Sequence, residues 1–389
     1  MTYIFIIYIV CLVVWLASIA RVFAYKRLGT EMERTRTTTP PDGEVPGISV
    51  IITTHNQEEE LRKNLPLILR QIYPDFEVIV VDIKSTDNTK MLLERLEEDN
   101  LQLHHTFTPS TGRDISTERL AITLGIKAAT KPWIVITKAD CSPVSHQWLR
   151  RMGEAIAGHR SAEMVIGYSR YNAVKGYSGR RLNFFRTWLQ MLTLTFVRRG
   201  GAYRCDGTNM AYKKELFLSH QGFASHSNLL VGATDIMVNQ NSTKHNCTVC
   251  LHPEAVIEQN MSRNSRNLWH NERLFFQETR RHFTKKWIYR ARYAGSVLLH
   301  AMLVMCLVAT IGVSIWQEQY IATGAAVVLW FIHLLTQGAV INRTVKMLNG
   351  HGIGIFHTAW FIHLIPFWDM GAWLRHSFTS KKRFRKKYI

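Results

Sequence analysis

The chain has 389 residues, 47% of them hydrophobic and 20% charged, which excludes a wholly disordered polypeptide. Lys and Arg number 48 against 29 Asp and Glu, a formal charge of +19. That excess suggests a polyanionic partner (nucleic acid, an anionic membrane surface or a phosphorylated substrate), while six cysteines in so long a chain exclude a disulfide scaffold.

The first segment, residues 1–24, is apolar and uncharged until Arg21, about the ~20 residues that a bilayer-spanning helix needs. A signal peptide is the rival reading, through the small residues Ala17-Ser18-Ile19-Ala20, but no basic region precedes the apolar run. An uncleaved anchor is therefore expected. Its positive flank, Arg21, Lys26 and Arg27, places the following chain in the cytoplasm. Residues 25–46 read as a linker, rich in Thr and Pro towards its end.

From 47 to 292 the pattern is that of an α/β domain. Ile48–Thr53, Phe76–Val81 and Trp133–Thr137 read as buried strands, and Glu58–Tyr73, Asn88–Glu98 and Ile115–Ala129 as helices. Strands alternating with helices imply a parallel sheet covered on both faces, with ligands bound beyond the carboxyl ends of the strands. Residues 293–341 hold two apolar runs split by Gln317-Glu318-Gln319 and flanked by basic residues, which suits a transmembrane hairpin with both ends cytoplasmic. In 342–389, the stretch Ile353–Trp373 carries His357, His363, Pro366 and Asp369, and a basic tail, Lys381–Lys387, follows. A re-entrant or interfacial segment fits this better than a fourth span, which would carry the basic tail outside.

The chemistry is read at the strand ends. They are Thr53-Thr54-His55-Asn56, then Asp82 with Ser85-Thr86-Asp87-Asn88-Thr89, and Lys138-Ala139-Asp140-Cys141-Ser142-Pro143. An acidic residue just past such a strand can hold a base, a ribose or a divalent cation; Asp87 more simply caps the next helix.

With these motifs the chain resembles the family 2 glycosyltransferases, inverting nucleotide-sugar enzymes of the GT-A fold, over about Gly47–Phe283. The resemblance implies that Thr53, His55 and Asn56 frame the nucleotide and that Asp82 contacts the base or ribose. It implies that Asp140 ligates Mg²⁺ or Mn²⁺ on the diphosphate, with Asn209 and Tyr212 of Gly207-Thr208-Asn209-Met210-Ala211-Tyr212 on the acceptor side. Asp235 stands where the family keeps its catalytic base, and Arg266, Trp269 and Arg273 where a helix faces the diphosphate. As a bland alternative, Asp235 caps the helix that starts beside it.

The departures bear on the chemistry. Ile83 follows Asp82 where a second Asp is usual, and Lys138 replaces the first acid of the metal motif. Ala233 and Thr234 precede Asp235, while Glu118 takes a basic position with Arg119 adjacent, so Arg119 is counted with the donor-binding residues. Lys138 could stand by the diphosphate and replace part of the metal's charge, making metal independence an option, or could be a solvated lysine at the rim.

The expected function is a membrane-bound glycosyltransferase of the inner membrane, its catalytic domain cytoplasmic. It would move a sugar from a nucleotide-sugar, UDP-linked by resemblance, onto a lipid-linked or surface-glycan acceptor. A non-catalytic scaffold of a polysaccharide assembly is the alternative, motivated by the lost carboxylates. A nucleic-acid partner rests on net charge alone and is set aside, since the basic clusters flank apolar segments and suit membrane lipids. The stretches Arg180–Arg199 and Trp269–Trp287 are basic and aromatic, suiting helices at the headgroups, although core packing explains the first equally well. Two hairpin spans are few for polymer extrusion, which favours addition of single sugars. Cys247-Thr248-Val249-Cys250 is a lone pair without a second ligand pair and reads as free thiols in a strand.

Overall fold

The computed structural model describes residues 2–37, 44–109, 116–172, 176–224, 229, 231–260, 265–349 and 352–379. Its strands are β1 (Ile48–Thr54), β2 (Phe76–Asp82), β3 (Leu103–Phe107), β4 (Trp133–Lys138), β5 (Cys141–Pro143), β6 (Met164–Gly167), β7 (Ser169–Tyr171), β8 (Met210–Lys213), β9 (Cys247–Cys250) and β10 (Ile257–Gln259). The helices are α1 (Thr2–Thr37), α2 (Glu58–Leu69), α3 (Thr89–Asp99), α4 (Thr117–Ala128), α5 (Trp148–Ala157), α6 (Gly176–Gly200), α7 (Lys214–Ser219), α8 (Ala233–Asn241), α9 (Ser265–Thr279), α10 (Lys286–Tyr289), α11 (Gly295–Trp316), α12 (Tyr320–Asn349) and α13 (Ile355–Ser377). Two compact units result. One takes Met1–Arg34, Ala173–Thr195 and Lys286–Phe378; the other is chiefly Thr35–Asn172 and Phe196–Lys285.

The second unit is built on a seven-stranded sheet of order β3-β2-β1-β4-β8-β6-β9, with a small sheet β5-β10-β7 beside it. β1 pairs in parallel with β2 on one side and β4 on the other. Apolar residues run continuously along these strands because both faces are covered: Val50, Ile51, Ile52, Val78, Val80, Val81, Ile134 and Val135 are all buried. Each such side chain contributes about 1.5–3 kcal/mol relative to exposure. β8 enters antiparallel between β4 and β6, breaking the parallel run.

Glu77 looks misplaced in a buried strand, yet it is satisfied. It accepts hydrogen bonds from Ser49 Oγ at 2.6 Å and from Thr130 N at 2.6 Å. Burial raises its pKa, but the bonds from Ser49 and Thr130 outweigh that and hold the carboxyl below its ordinary range.

Among the described residues, three helical segments are long and apolar enough to cross a membrane: Tyr8–Thr35, Lys286–Trp316 and Thr323–Leu348. Helix α1 continues to Thr37, well into the 25–46 stretch expected as linker, because no Gly or Pro interrupts Tyr25–Thr37 except Gly29, which faces Met347. The stretch expected to be re-entrant or interfacial is one unbroken helix, α13, with Pro366 inside it. Its Asp369 accepts a hydrogen bond from Tyr293 Oη at 2.7 Å. The basic tail after Arg375 lies outside the described residues from 380 onward.

The two stretches read as surface helices keep most of their aromatic groups inside the protein. Phe184, Phe185 and Trp188 of α6 are buried, with Phe184 against Phe361 and Trp188 against Tyr293. Trp269, Leu274, Phe276 and Phe283 are buried as well, leaving Trp287 exposed. Amphipathic periodicity marks a buried face without saying whether protein or lipid covers it.

Helix α4 approaches the sheet at Gly125, where a Cβ would meet Ile51 Cγ2 at 2.6 Å and Val81 Cγ2 at 3.2 Å. Those methyls belong to β-branched side chains with little rotamer freedom. Gly125→Ala is expected to overpack this contact and cost about 1–3 kcal/mol, despite the better helix propensity of Ala. Thermal unfolding of the full chain in detergent checks this; an unchanged or higher Tm would show that the contact yields.

Candidate active site

The strand order β3-β2-β1-β4 reverses direction between β1 and β4. In an open parallel sheet this topological switch point opens a crevice beyond the carboxyl ends, where no helix crosses. The register sets what stands there: Thr53 pairs with Lys138, and Thr54 with Asp82.

The two loops leaving β1 and β2 are stitched together. His55 Nδ1 donates to Ile83 O at 2.5 Å, Asn56 N donates to Ser85 Oγ at 2.8 Å, and Asn56 Oδ1 accepts from Thr86 N at 2.7 Å. Asn56 reaches this position in the left-handed region, φ 50°, which Asn tolerates better than most residues. The Asp82 carboxylate accepts Ser85 Oγ at 2.5 Å and Ser85 N at 3.2 Å, closing the turn beneath it. Asp87 accepts Thr89 N at 3.1 Å and Glu58 N at 3.2 Å, serving the N-termini of both α3 and α2. Its expected role as a cap is what the geometry shows.

Asp140 sits in the turn from β4 to β5. Gln259 Nε2 donates to its Oδ2 at 2.8 Å, and the Cys141 thiol to its Oδ1 at 3.6 Å. Buried Asn64 of α2 holds the same turn through Ala139 O at 2.9 Å. Lys138 is partly buried between these elements. Burial works against its charge, but the carboxylates of Glu118, Asp206 and Asp140 outweigh it and hold the ammonium above its ordinary pKa.

Asp235 lies in the first turn of α8, after Gly232 at φ 73°. It is buried, and Arg204 Nε donates to its Oδ1 at 3.0 Å while Nη2 reaches Oδ2 at 3.4 Å. The Arg204 guanidinium also lies 4.9 Å from the centre of the Phe276 ring. Burial pushes the Asp235 pKa up and the Asp206 carboxylate adds to it; Arg204 and Lys138 pull the other way without cancelling the rise. Arg204 and Asp206 are functional-site residues that sequence reasoning missed. They stand in irregular chain between α6 and β8, where no periodicity marks them, although Asp206 directly precedes the Gly207 motif. Asp206 Oδ1 accepts Thr208 Oγ1 at 2.7 Å, which fixes that loop.

Other expected site residues are held elsewhere. Arg119 is buried and donates to Leu229 O and Val231 O, both at 2.8 Å, with Phe223 against its guanidinium. Burial lowers its pKa to about 10. It therefore fixes the chain leading into Gly232 and Asp235 instead of reaching a donor. Asn209 accepts from Trp148 Nε1 at 3.1 Å and donates to Tyr168 O and Ala255 O, both at 2.8 Å, so its amide is committed to the interior and not to an acceptor. Tyr212 is fully buried beside Phe217 on β8, out of an acceptor's reach, because its strand position points into the core. Arg273 stacks over Trp269 at 4.8 Å along α9. The side chain of Arg266 lies outside the described residues.

The donor set does not suit a divalent cation held by the protein. Hard cations take several oxygen ligands. Here the strand end offers the Asp140 carboxylate, already accepting from Gln259, with the Lys138 ammonium two residues before it. Among the described residues no group of three or more His, Cys, Asp or Glu converges to hold a metal ion.

Residues 49–220 match the sequence profile of glycosyl transferase family 2. Over those residues the chain is similar to the glycosyl transferase family 2. A PGL/p-HBAD biosynthesis glycosyltransferase of Mycobacterium tuberculosis is 30% identical over 129 residues, 31% of this chain and 46% of its own length. Glycosyltransferase AglE of Haloferax volcanii is 31% identical over 118 residues, 29% of this chain and 36% of its own. The chain thus spans less than half the length of these curated relatives. The solved mannosyltransferase PcManGT from Pyrobaculum calidifontis, in complex with GDP-Man and Mn²⁺, matches 87% of this chain and 99% of its own with a TM-score of 0.52 and 20% identity. That likeness shows the fold, a GT-A arrangement.

The Arg204–Asp235 pair is nearly enclosed, with side chains 13% and 10% exposed. Removing one partner of a buried pair strands the other charge, at about 3–5 kcal/mol. Arg204→Met is expected to destabilise the domain by that amount, and the double variant Arg204→Met/Asp235→Asn to recover most of it. A double-mutant cycle of thermal unfolding measures the coupling; additive losses would show that the pair does not act as a unit.

Proposed function

We propose that this protein is a membrane-anchored, inverting glycosyltransferase. It takes a sugar from a nucleoside diphosphate donor, UDP-linked by resemblance, and adds single sugars to a lipid-linked or surface-glycan acceptor at the cytoplasmic face of the inner membrane. The observation that carries the reading is the meeting of Thr53, Asp82, Lys138 and Asp140 at the switch point of a family 2 domain, with Asp235 within electrostatic reach of Lys138. Membrane attachment is supported by three helices of sufficient length and apolarity, and the orientation by the basic flank Arg21, Lys26 and Arg27.

In this reading the stitched loops at 53–56 and 82–87 position the nucleoside. Asp235 takes the proton of the acceptor hydroxyl. The acceptor oxygen then bonds to the anomeric carbon from the face opposite the diphosphate. The bond from that carbon to the phosphate oxygen breaks, its electron pair leaves with the nucleoside diphosphate, and the configuration inverts. A carboxylate raised by burial is a better base than an exposed one, and Arg204 keeps it ionised and aimed.

A scaffold without catalysis is the second reading, favoured by Ile83, Lys138, Ala233 and Thr234 where the family carries other residues. Transfer from a panel of UDP- and GDP-sugars, with calorimetric donor binding alongside, separates the two. Asp235→Asn is expected to lower turnover by about 10²–10⁴-fold while donor binding persists. The acid limb of the wild-type rate profile should fall above the ordinary carboxylate range, because burial raises the Asp235 pKa and protonation removes the base. Donor binding without turnover in the intact protein would support the scaffold.

A further inference from the structure

Resting on the donor reading above, we infer that Lys138 is the cation that receives the leaving diphosphate, doing in this protein the electrostatic work of a divalent metal. Two observations converge on it.

The first is position. Lys138 is the last residue of β4 and pairs with Thr53 across the strand boundary where the sheet order reverses. A diphosphate bound in the crevice of an open parallel sheet lies over that boundary.

The second is the donor set. Asp140 is the carboxylate that would hold a metal, and its Oδ2 already accepts a hydrogen bond from Gln259 Nε2 at 2.8 Å. Lys138 stands where a second carboxylate would be needed. An ammonium there repels a divalent cation but attracts the phosphates themselves.

In the transfer step the bond between anomeric carbon and phosphate oxygen breaks, and the electron pair places a new negative charge on that oxygen. Lys138 stabilises it as a fixed cation, with no proton transferred and no further reactant required.

The test is calorimetric binding of UDP and of GDP to the full chain in detergent, with EDTA or with Mn²⁺, alongside turnover of the best donor. For the wild type, binding and turnover are expected to survive EDTA. Lys138→Gln should weaken nucleoside diphosphate binding at least tenfold and lower turnover by about 10²–10³-fold, the loss seen when one preorganised donor is removed. Lys138→Arg, which keeps the charge, should recover most of the binding and so separates loss of charge from loss of fold. Lys138→Asp, which places two carboxylates at 138 and 140, should bind in Mn²⁺ and fail in EDTA. Wild-type binding or turnover that vanishes in EDTA and returns with Mn²⁺ would overturn the inference and leave the donor reading intact. So would a Lys138→Gln protein indistinguishable from wild type. Absence of binding to either nucleotide under every condition would overturn the donor reading itself.

Discussion

β1 is held from both sides by parallel ladders, and the chemistry of the domain follows from the level at which those ladders end. Because β2 and β4 run with β1 in register, Thr53, Asp82 and Lys138 emerge within one residue of the same height. A parallel sheet buried on both faces leaves no room for polar side chains along its length. Polar groups therefore collect at its ends. Glu77 shows the rule at the amino end, where it is tolerated because Ser49 and Thr130 saturate it. Asp82, Lys138 and Asp140 show it at the carboxyl end, Asp82 buried and the other two partly exposed.

The second constraint is charge balance around Lys138. Two cations, Lys138 and Arg204, share their surroundings with Glu118, Asp140, Asp206 and Asp235. Among the described residues, carboxylates outnumber cations around Lys138 and Arg204, so the overall +19 of the chain does not describe this neighbourhood. Arg204 is spoken for by Asp235, and Phe276 backs it. Lys138 stands at the strand end without such a pairing among the described residues, whereas Arg204 is held by Asp235.

Much of this was legible in the chain. β1, β2 and β4 read as strands because burial on both faces makes them continuous apolar runs, and α2, α3 and α4 followed from 3.6-residue spacing. The short strands β5, β7 and β10 were not legible: three residues carry no period, and their pairing is set by long-range contacts. Asp82, Lys138, Asp140 and Asp235 could be picked out as polar residues after apolar runs or inside motifs. Asn209 and Tyr212 misled for a physical reason. A motif preserves residue types whether they serve a ligand or the core, and only the fold shows Asn209 bonded to Trp148, Tyr168 and Ala255. Arg119 was noticed for its charge, yet its role is to fasten the backbone before Asp235.

The antiparallel entry of β8 has a consequence for how the molecule is made. β4 is complete at Lys138, but its free edge is covered only by Met210–Lys213. Between the two lie some seventy residues, among them α6, most of which belongs to the helical unit. Until β8 emerges, Trp133-Ile134-Val135-Ile136 is an open apolar edge of the kind that recruits foreign strands. That edge stays open during synthesis until the chain has passed through α6 and returned to the sheet as β8.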